Sequence, residues 1–210
     1  ELGGIVMKEA VARSGVDPAL INYVTVGNTI PTDSRYAYVA RVAAIQAGLP
    51  MESVAMALNR LCSSGLQAIV TTAQQIMLGD CDYGVGGGVE VMSRGMYGSP
   101  AMRSGARMGD TKMVDMMVGA LHDPFHTIHM GVTAENVAAK YGITREMQDA
   151  LALESHHRAA KATAAGIFKD QIVPVMLKSK KGEIEFKADE HVRMDAKLED
   201  MSKLKPVFKK

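Results

Sequence analysis

Over residues 1–93 the apolar positions recur at two different spacings, and the alternation between them predicts an ordered series of elements. Leu2, Ile5, Val6, Ala10 and Val11 follow the period of a helix, and Arg13-Ser14-Gly15 supplies a basic last turn and a stop. Asp17-Pro18 makes a turn, after which the β-rich run 22–27 predicts a short strand. A helix over 38–47 ends at Gly48, ahead of Pro50. The apolar run 53–58 predicts a buried strand, residues 66–78 a strongly apolar helix stopped at Gly79, and 83–87 another short strand. Helices alternating with strands imply an α/β domain with a largely covered sheet.

The pattern breaks after Ser93. Residues 94–131 are rich in Gly, Met, Arg and His and hold no steady period, which is too long for a plain connector and points to a functional or assembly segment. Order returns at Gly131-Val132-Thr133-Ala134-Glu135, where Thr133 is the expected cap of a helix to 141. Thr144 is the expected cap of the next helix, through about 165. Runs 173–178 and 183–187 flank Ser179-Lys180-Lys181-Gly182 and predict a hairpin, with Lys178, Lys180 and Lys181 as a solvated turn. From Asp189 the chain is charged and irregular. The expected division is therefore a first domain over 1–93 and a second over 94–210.

Composition narrows the function classes. A chain of 210 residues, 47% hydrophobic, can bury a full core. A net charge of +1 gives no reason to expect nucleic acid or an anionic membrane as the main partner. Two cysteines are too few for a disulfide framework and fit a reducing compartment. No apolar run approaches the roughly 20 residues of a membrane span, and no signal-peptide pattern opens the chain, so a cytoplasmic location is expected. Sixteen Met and no Trp suggest an adaptable interior.

The segment with the most chemistry is Asn59-Arg60-Leu61-Cys62-Ser63-Ser64-Gly65-Leu66, between a strand and the first turn of a long helix. Unpaired N–H groups and the helix dipole at that position favour a thiolate, and the same N–H groups suit an oxyanion hole. A thiolate beside such donors fits acyl transfer from a thioester, since one thioester is exchanged for another. The competing reading is that Cys62 is a small core residue, as free cysteines often are. Cys81, in a turn before a strand, takes that reading. The cluster Gly84-Val85-Gly86-Gly87-Gly88 fails as a dinucleotide loop because Val89 stands where a third glycine is needed. Close backbone packing explains it better. His122, His126 and His129 are spaced like metal ligands, yet Pro124 breaks the helix that would align them, so no metal is expected. His156 and His157 are expected at the surface of their helix.

Asn59-Arg60-Leu61-Cys62-Ser63-Ser64-Gly65 closely resembles the nucleophile motif of thiolases. Three further segments resemble that family in the same order: Gly86-Gly87-Gly88-Val89-Glu90-Val91-Met92-Ser93, His129-Met130-Gly131-Val132-Thr133-Ala134-Glu135-Asn136, and Phe168-Lys169-Asp170-Gln171-Ile172-Val173-Pro174-Val175. The His before Met130-Gly131 is similar to the biosynthetic, short-chain branch. Arg60 and the run Gly119-Ala120-Leu121-His122-Asp123-Pro124-Phe125-His126 are most similar to bacterial β-ketothiolases. The resemblance implies a thiolase-like α/β fold with a mixed sheet covered by helices, a partial N-terminal catalytic domain over 1–93 and a truncated inserted loop domain over 94–210, and a transferase that forms or cleaves short-chain 3-ketoacyl-CoA through acyl-Cys62. It implies a coenzyme A thioester as substrate, acetyl-CoA and acyl-CoA as partners, no covalent cofactor, and a homotetramer assembled through residues 94–115. It gives His129, Met130 and Leu121 to the pantetheine and acyl group, Arg193 to the adenine, and Arg103 and Arg107 to the CoA phosphates. Read without the resemblance, each arginine is a solvated surface charge. It makes Glu90 a structural acceptor. In that family a second cysteine, carried by the C-terminal half, activates acetyl-CoA for condensation. This sequence holds neither that half nor the first strand, and Cys81 matches none of its motifs, so the polypeptide alone is expected to be acylated at most. A Cys-dependent hydrolase and a non-catalytic CoA-binding or assembly protein are the alternatives.

Overall fold

The computed structural model describes residues 1–180 and 182–209, so the Lys181 part of the predicted turn lies outside the described residues. Two compact units divide at Leu121 and His122.

In the first unit the predicted alternation is present. Helix α1 (Leu2–Ser14) ends at Gly15 and leads to strand β1 (Tyr23–Gly27). Helix α2 (Val39–Gln46) precedes β2 (Val54–Leu58), and α3 (Ser64–Leu78) precedes β3 (Gly84–Gly88). The strand order is β2-β1-β3, and both pairings are parallel, so the expected mixed sheet is a parallel one here. The reason is local: each strand is separated from the next by a helix, which returns the chain to the same end of the sheet.

β1 lies at the centre and its alternation separates two faces. Val24 and Val26 join Met7 and Val11 of α1 and Ala40, Ala43 and Ala44 of α2 in one apolar core. Thr25, fully buried, faces the other way, where its hydroxyl accepts a hydrogen bond from Thr72 of α3 at 3.0 Å. Strand β2 is not the buried strand that its apolar run predicts. It pairs with β1 alone among the described residues, and Val54 is 54% exposed. An apolar run cannot distinguish a central from an edge strand, because that depends on which partners the topology supplies.

Helix α3 lies unusually close to the sheet. A Cβ on Gly27 would sit 2.5 Å from the Ser64 carbonyl carbon, and one on Gly86 would sit 2.7 Å from the Ile69 Cα. Only glycine admits backbones at such separations. The glycine cluster is therefore packing chemistry, as its spacing suggested.

Residues 94–121 group with the first unit, although the composition changes at Ser93. The Met96 N–H donates to the Pro31 carbonyl at 3.0 Å. Short strands β4 (Tyr97–Gly98) and β5 (Val114–Asp115) pair antiparallel, and Asp115 caps α4 (Met116–Ala120).

The second unit contains α5 (Met130–Tyr141), α6 (Arg145–Ala164), the antiparallel hairpin β6 (Val175–Ser179) and β7 (Gly182–Phe186), and α7 (Leu198–Ser202). Thr144 caps α6 as expected, accepting from the Met147 N–H at 3.3 Å. Thr133 does not cap α5, which starts earlier. Its cap is His129, whose Nδ1 accepts from the Gly131 N–H at 2.9 Å. Histidine is a rarer cap than Ser, Thr, Asp or Asn, so the start signal was read at the nearest hydroxyl instead. Helix α7, unmarked by any clear period, is held by Arg145, which donates to the Met201 and Leu204 carbonyls at 2.8 and 2.7 Å.

Candidate active site

In a parallel sheet the loops leaving the carboxyl ends of the strands lie at one edge, where α/β proteins place their ligands. Three such loops carry Asn28–Ile30, Asn59–Cys62 and Glu90, following β1, β2 and β3.

Cys62 occupies the tight turn between β2 and α3. It is exposed, not sealed in the core, while Cys81 is 4% exposed. The residue before it, Leu61, has φ 52°, a left-handed conformation that costs an ordinary residue on the order of 1–2 kcal/mol. The surroundings hold it there. The Asn59 side-chain oxygen accepts from the Leu61 N–H at 2.9 Å. The Leu61 carbonyl accepts from the Thr29 hydroxyl at 3.1 Å, the Ser64 hydroxyl at 2.6 Å and the Ser64 N–H at 3.0 Å. The Ser64 hydroxyl oxygen also accepts from the Arg60 N–H at 2.8 Å, and the Arg60 guanidinium donates to Gln67. A strand-to-helix turn bent this sharply pushes the residue at its apex outward, and that residue is Cys62.

Glu90 stands behind this turn as an acceptor of three hydrogen bonds. One carboxylate oxygen accepts from the Asn28 side chain and the Ile30 N–H, each at 3.0 Å, and the other from the Thr29 N–H at 2.8 Å. Burial pushes the Cys81 thiol up, with Asp80 and Asp82 adding to the shift, so it stays a neutral thiol.

The remaining candidate residues are carried by other elements. Leu121 follows α4 in the first unit and is 40% exposed. Arg103 ends a short 3-10 turn, Pro100–Ser104, and Arg107 follows it; both are exposed. His129 and Met130 open α5 in the second unit. The His129 ring stacks on Phe208, with centroids 4.8 Å apart, and meets His122 edge-on at 5.2 Å. A Cβ on Gly131 would lie 2.1 Å from the Phe208 ring, so the aromatic ring is seated directly on the start of α5. Sequence reasoning missed Phe208, which is far from His129 along the chain and stands in a segment with no period. Its one available signal was an aromatic residue in an otherwise charged tail.

His126 turns away from the other two histidines toward Asp123, with Nδ1 2.5 Å from the carboxylate. Asp123 organises this loop and is held below the ordinary carboxylate value of 3.8, chiefly by the His126 N–H and then by its ring. A depressed carboxylate contributes stability that is present above the ordinary value and lost as the pH falls through its lowered folded value. The protection of the Thr127 amide against exchange, bonded as it is to the Asp123 carbonyl at 2.8 Å, is therefore expected to fall only below about pH 4. Asp123→Asn should abolish that acid step, and an unchanged profile in the variant would refute the assignment.

Arg193 is exposed, but its backbone is anchored. Its N–H donates to His156 Nδ1 at 3.2 Å, and the Ala196 carbonyl accepts from His157 Nε2 at 3.2 Å. The two histidines expected to be plain surface residues thus pin residues 193–196 to α6. Their ring nitrogens needed backbone partners that are distant in sequence, which helix periodicity does not reveal.

Comparisons with known proteins place the fold in a family. The family description "Thiolase, N-terminal domain" matches residues 1–210. The chain is 58% identical over 210 residues to the beta-ketothiolase BktB of Cupriavidus necator, covering all of this chain and 53% of that protein. It is 47% identical over 212 residues to an acetyl-CoA acetyltransferase of the same organism, covering 54% of it. Among solved structures, the acetyl-CoA acetyltransferase of Bacillus anthracis superposes with a TM-score of 0.90 at 42% identity, covering 99% of this chain and 52% of that one. Human mitochondrial 3-ketoacyl-CoA thiolase superposes with a TM-score of 0.92 at 37% identity, covering 99% and 53%. The chain spans about half the length of these relatives. It belongs to the thiolase family and corresponds to that family's N-terminal domain.

Proposed function

We propose that the protein is a thiolase-type acyltransferase in which Cys62 takes an acyl group from a coenzyme A thioester. The thiolate attacks the thioester carbonyl, the charge that develops on oxygen is met by the Cys62 N–H, and collapse of the tetrahedral intermediate expels CoA thiolate and leaves acyl-Cys62. In the complete reaction a carbanion from acetyl-CoA attacks that acyl group to give a short-chain 3-ketoacyl-CoA, and thiolysis is the reverse. The exposed Cys62 in its braced strand-to-helix turn is the observation that supports this reading most. We assign the pantetheine and acyl group to His129, Met130 and Leu121, the adenine to Arg193 and the phosphates to Arg103 and Arg107. Phe208 joins the pantetheine set through its stack on His129. We further assign a cytoplasmic location, and a homotetramer through the exposed segment 94–115. No helix among the described residues is long and apolar enough to cross a membrane.

Incubation with acetyl-CoA followed by peptide mass spectrometry tests the reading. A stable acetyl adduct on Cys62 supports it. Steady release of acetate without added CoA would mean a hydrolase, and CoA binding without an adduct would mean a binding protein.

Anchoring of Arg193 has its own consequence. His156→Leu removes the acceptor for the Arg193 N–H and is expected to weaken CoA binding about five- to tenfold, the scale of one hydrogen bond. His156→Asn, which keeps an acceptor near the Nδ1 position, should restore most of it. Binding of an acetyl thioester of pantetheine, which lacks the nucleotide, should be unaffected in both. Equal weakening for both ligands would place His156 outside nucleotide recognition.

A further inference from the structure

We infer that Glu90 and Thr29 form a positioning relay that sets the direction of the Cys62 N–H. The inference rests on the acyl-acceptor role of Cys62 proposed above. Glu90 grips the loop after β1 through the Thr29 and Ile30 N–H groups and the Asn28 side chain, at 2.8, 3.0 and 3.0 Å. Thr29, held in this way, reaches the turn that carries the nucleophile at two points. Its hydroxyl donates to the Leu61 carbonyl at 3.1 Å, and its own carbonyl accepts from the Asn59 side chain at 3.2 Å. Asn59 then holds the Leu61 N–H at 2.9 Å. The loops after all three strands are thereby linked, with Leu61 as the final member.

Leu61 is where such a linkage matters. Its left-handed backbone persists only while its N–H and carbonyl are both held. The peptide between Leu61 and Cys62 is planar and trans, so turning the Leu61 carbonyl toward Thr29 and Ser64 turns the Cys62 N–H the opposite way. That N–H is the donor that meets the charge developing on the attacked carbonyl. Glu90 touches no reacting atom in this account and acts through Thr29. Helix α3 fixes Cys62 from one side, through Ser64, and the relay fixes it from the other.

The test separates the amide from the sulfur. Acylation by acetyl-CoA or by p-nitrophenyl acetate places negative charge on a carbonyl oxygen, whereas alkylation by iodoacetamide displaces iodide and needs no oxyanion donor. In Glu90→Gln the amide NH2 faces a backbone N–H, and in Thr29→Val the hydroxyl is lost. Each variant, well below its melting temperature, is expected to acylate Cys62 about tenfold more slowly, the effect of one displaced hydrogen bond. Alkylation of Cys62 should stay within about twofold, because the start of α3, whose dipole favours the thiolate, is left in place. Thr29→Ser, which keeps the hydroxyl, should restore acylation to near the wild-type rate. The double variant Glu90→Gln/Thr29→Val should lose about tenfold to twentyfold, not the roughly hundredfold of independent sites, because the two residues act in series.

Wild-type acylation rates in the single variants would overturn the relay. So would a multiplicative double variant, failure of Thr29→Ser to restore the rate, or an equal fall in acylation and alkylation. Acylation of the wild type by p-nitrophenyl acetate but not by acetyl-CoA, with the variants still slowed, would leave the relay standing and refute the thioester reading alone. A wild type that neither donor acylates would refute both.

Discussion

Cys62→Ser is expected to abolish acyl transfer from acetyl-CoA, with a loss of about ten-thousandfold or more, while leaving the melting temperature nearly unchanged. The two expectations follow from the same geometry. Cys62 is exposed, so replacing sulfur by oxygen removes little packing, whereas a serine hydroxyl is a far poorer nucleophile than a thiolate. Cys81→Ser should behave in the opposite manner. That thiol is 4% exposed and held neutral, so a hydroxyl there lowers stability by about 1–3 kcal/mol without altering the adduct on Cys62. Chemical denaturation and adduct mass spectrometry on both variants would check this. If Cys81→Ser lost the adduct and Cys62→Ser kept it, the assignment of the nucleophile would be wrong.

The strand-to-helix turn that carries Cys62 was legible in the sequence because its signal is local. A strand, five residues and a helix with small residues at its start describe a sharp turn, and the structure contains that turn. What supports the turn was not legible. Thr29 reaches Leu61 from an earlier loop, and Glu90 holds Thr29 from a later one, so only the pairing of the strands brings these three loops to one edge. Glu90 could be read as an acceptor but not as an acceptor for which loop. The same division explains the misplaced elements. Thr144 caps its helix as a common capping residue does, while His129 caps α5 with a ring nitrogen that sequence patterns do not flag. β2 has the apolar composition of a central strand, but its place beside β1 alone among the described residues is a property of the sheet. Helix stops were legible at Gly15 and Gly79, since a left-handed cap needs only one residue.

Gly27→Ala is expected to be among the most damaging single methyl additions in the chain. The new Cβ would lie 2.5 Å from the Ser64 carbonyl carbon and 2.6 Å from its oxygen, and both belong to backbone that cannot rotate away. Helix α3 must lift from β1, which also disturbs its packing on Gly86, so a cost of about 3 kcal/mol is expected, at the upper end for overpacking. Gly87→Ala provides the control. A Cβ there meets nothing within 4 Å, although the residue belongs to the same glycine-rich strand, and the substitution should be neutral or slightly stabilising. Urea titration of the two variants would distinguish the readings, and a Gly27→Ala midpoint equal to that of Gly87→Ala would refute the close-approach account. The displacement should also reach the chemistry. Ser64 is both the residue that Gly27 admits and the residue that holds the Leu61 carbonyl at 2.6 Å and the Arg60 N–H at 2.8 Å. Folded Gly27→Ala protein should therefore acylate Cys62 slowly even where its sulfur still alkylates. The absence of a side chain at the end of β1 is thus what allows the start of α3 to support the nucleophile turn.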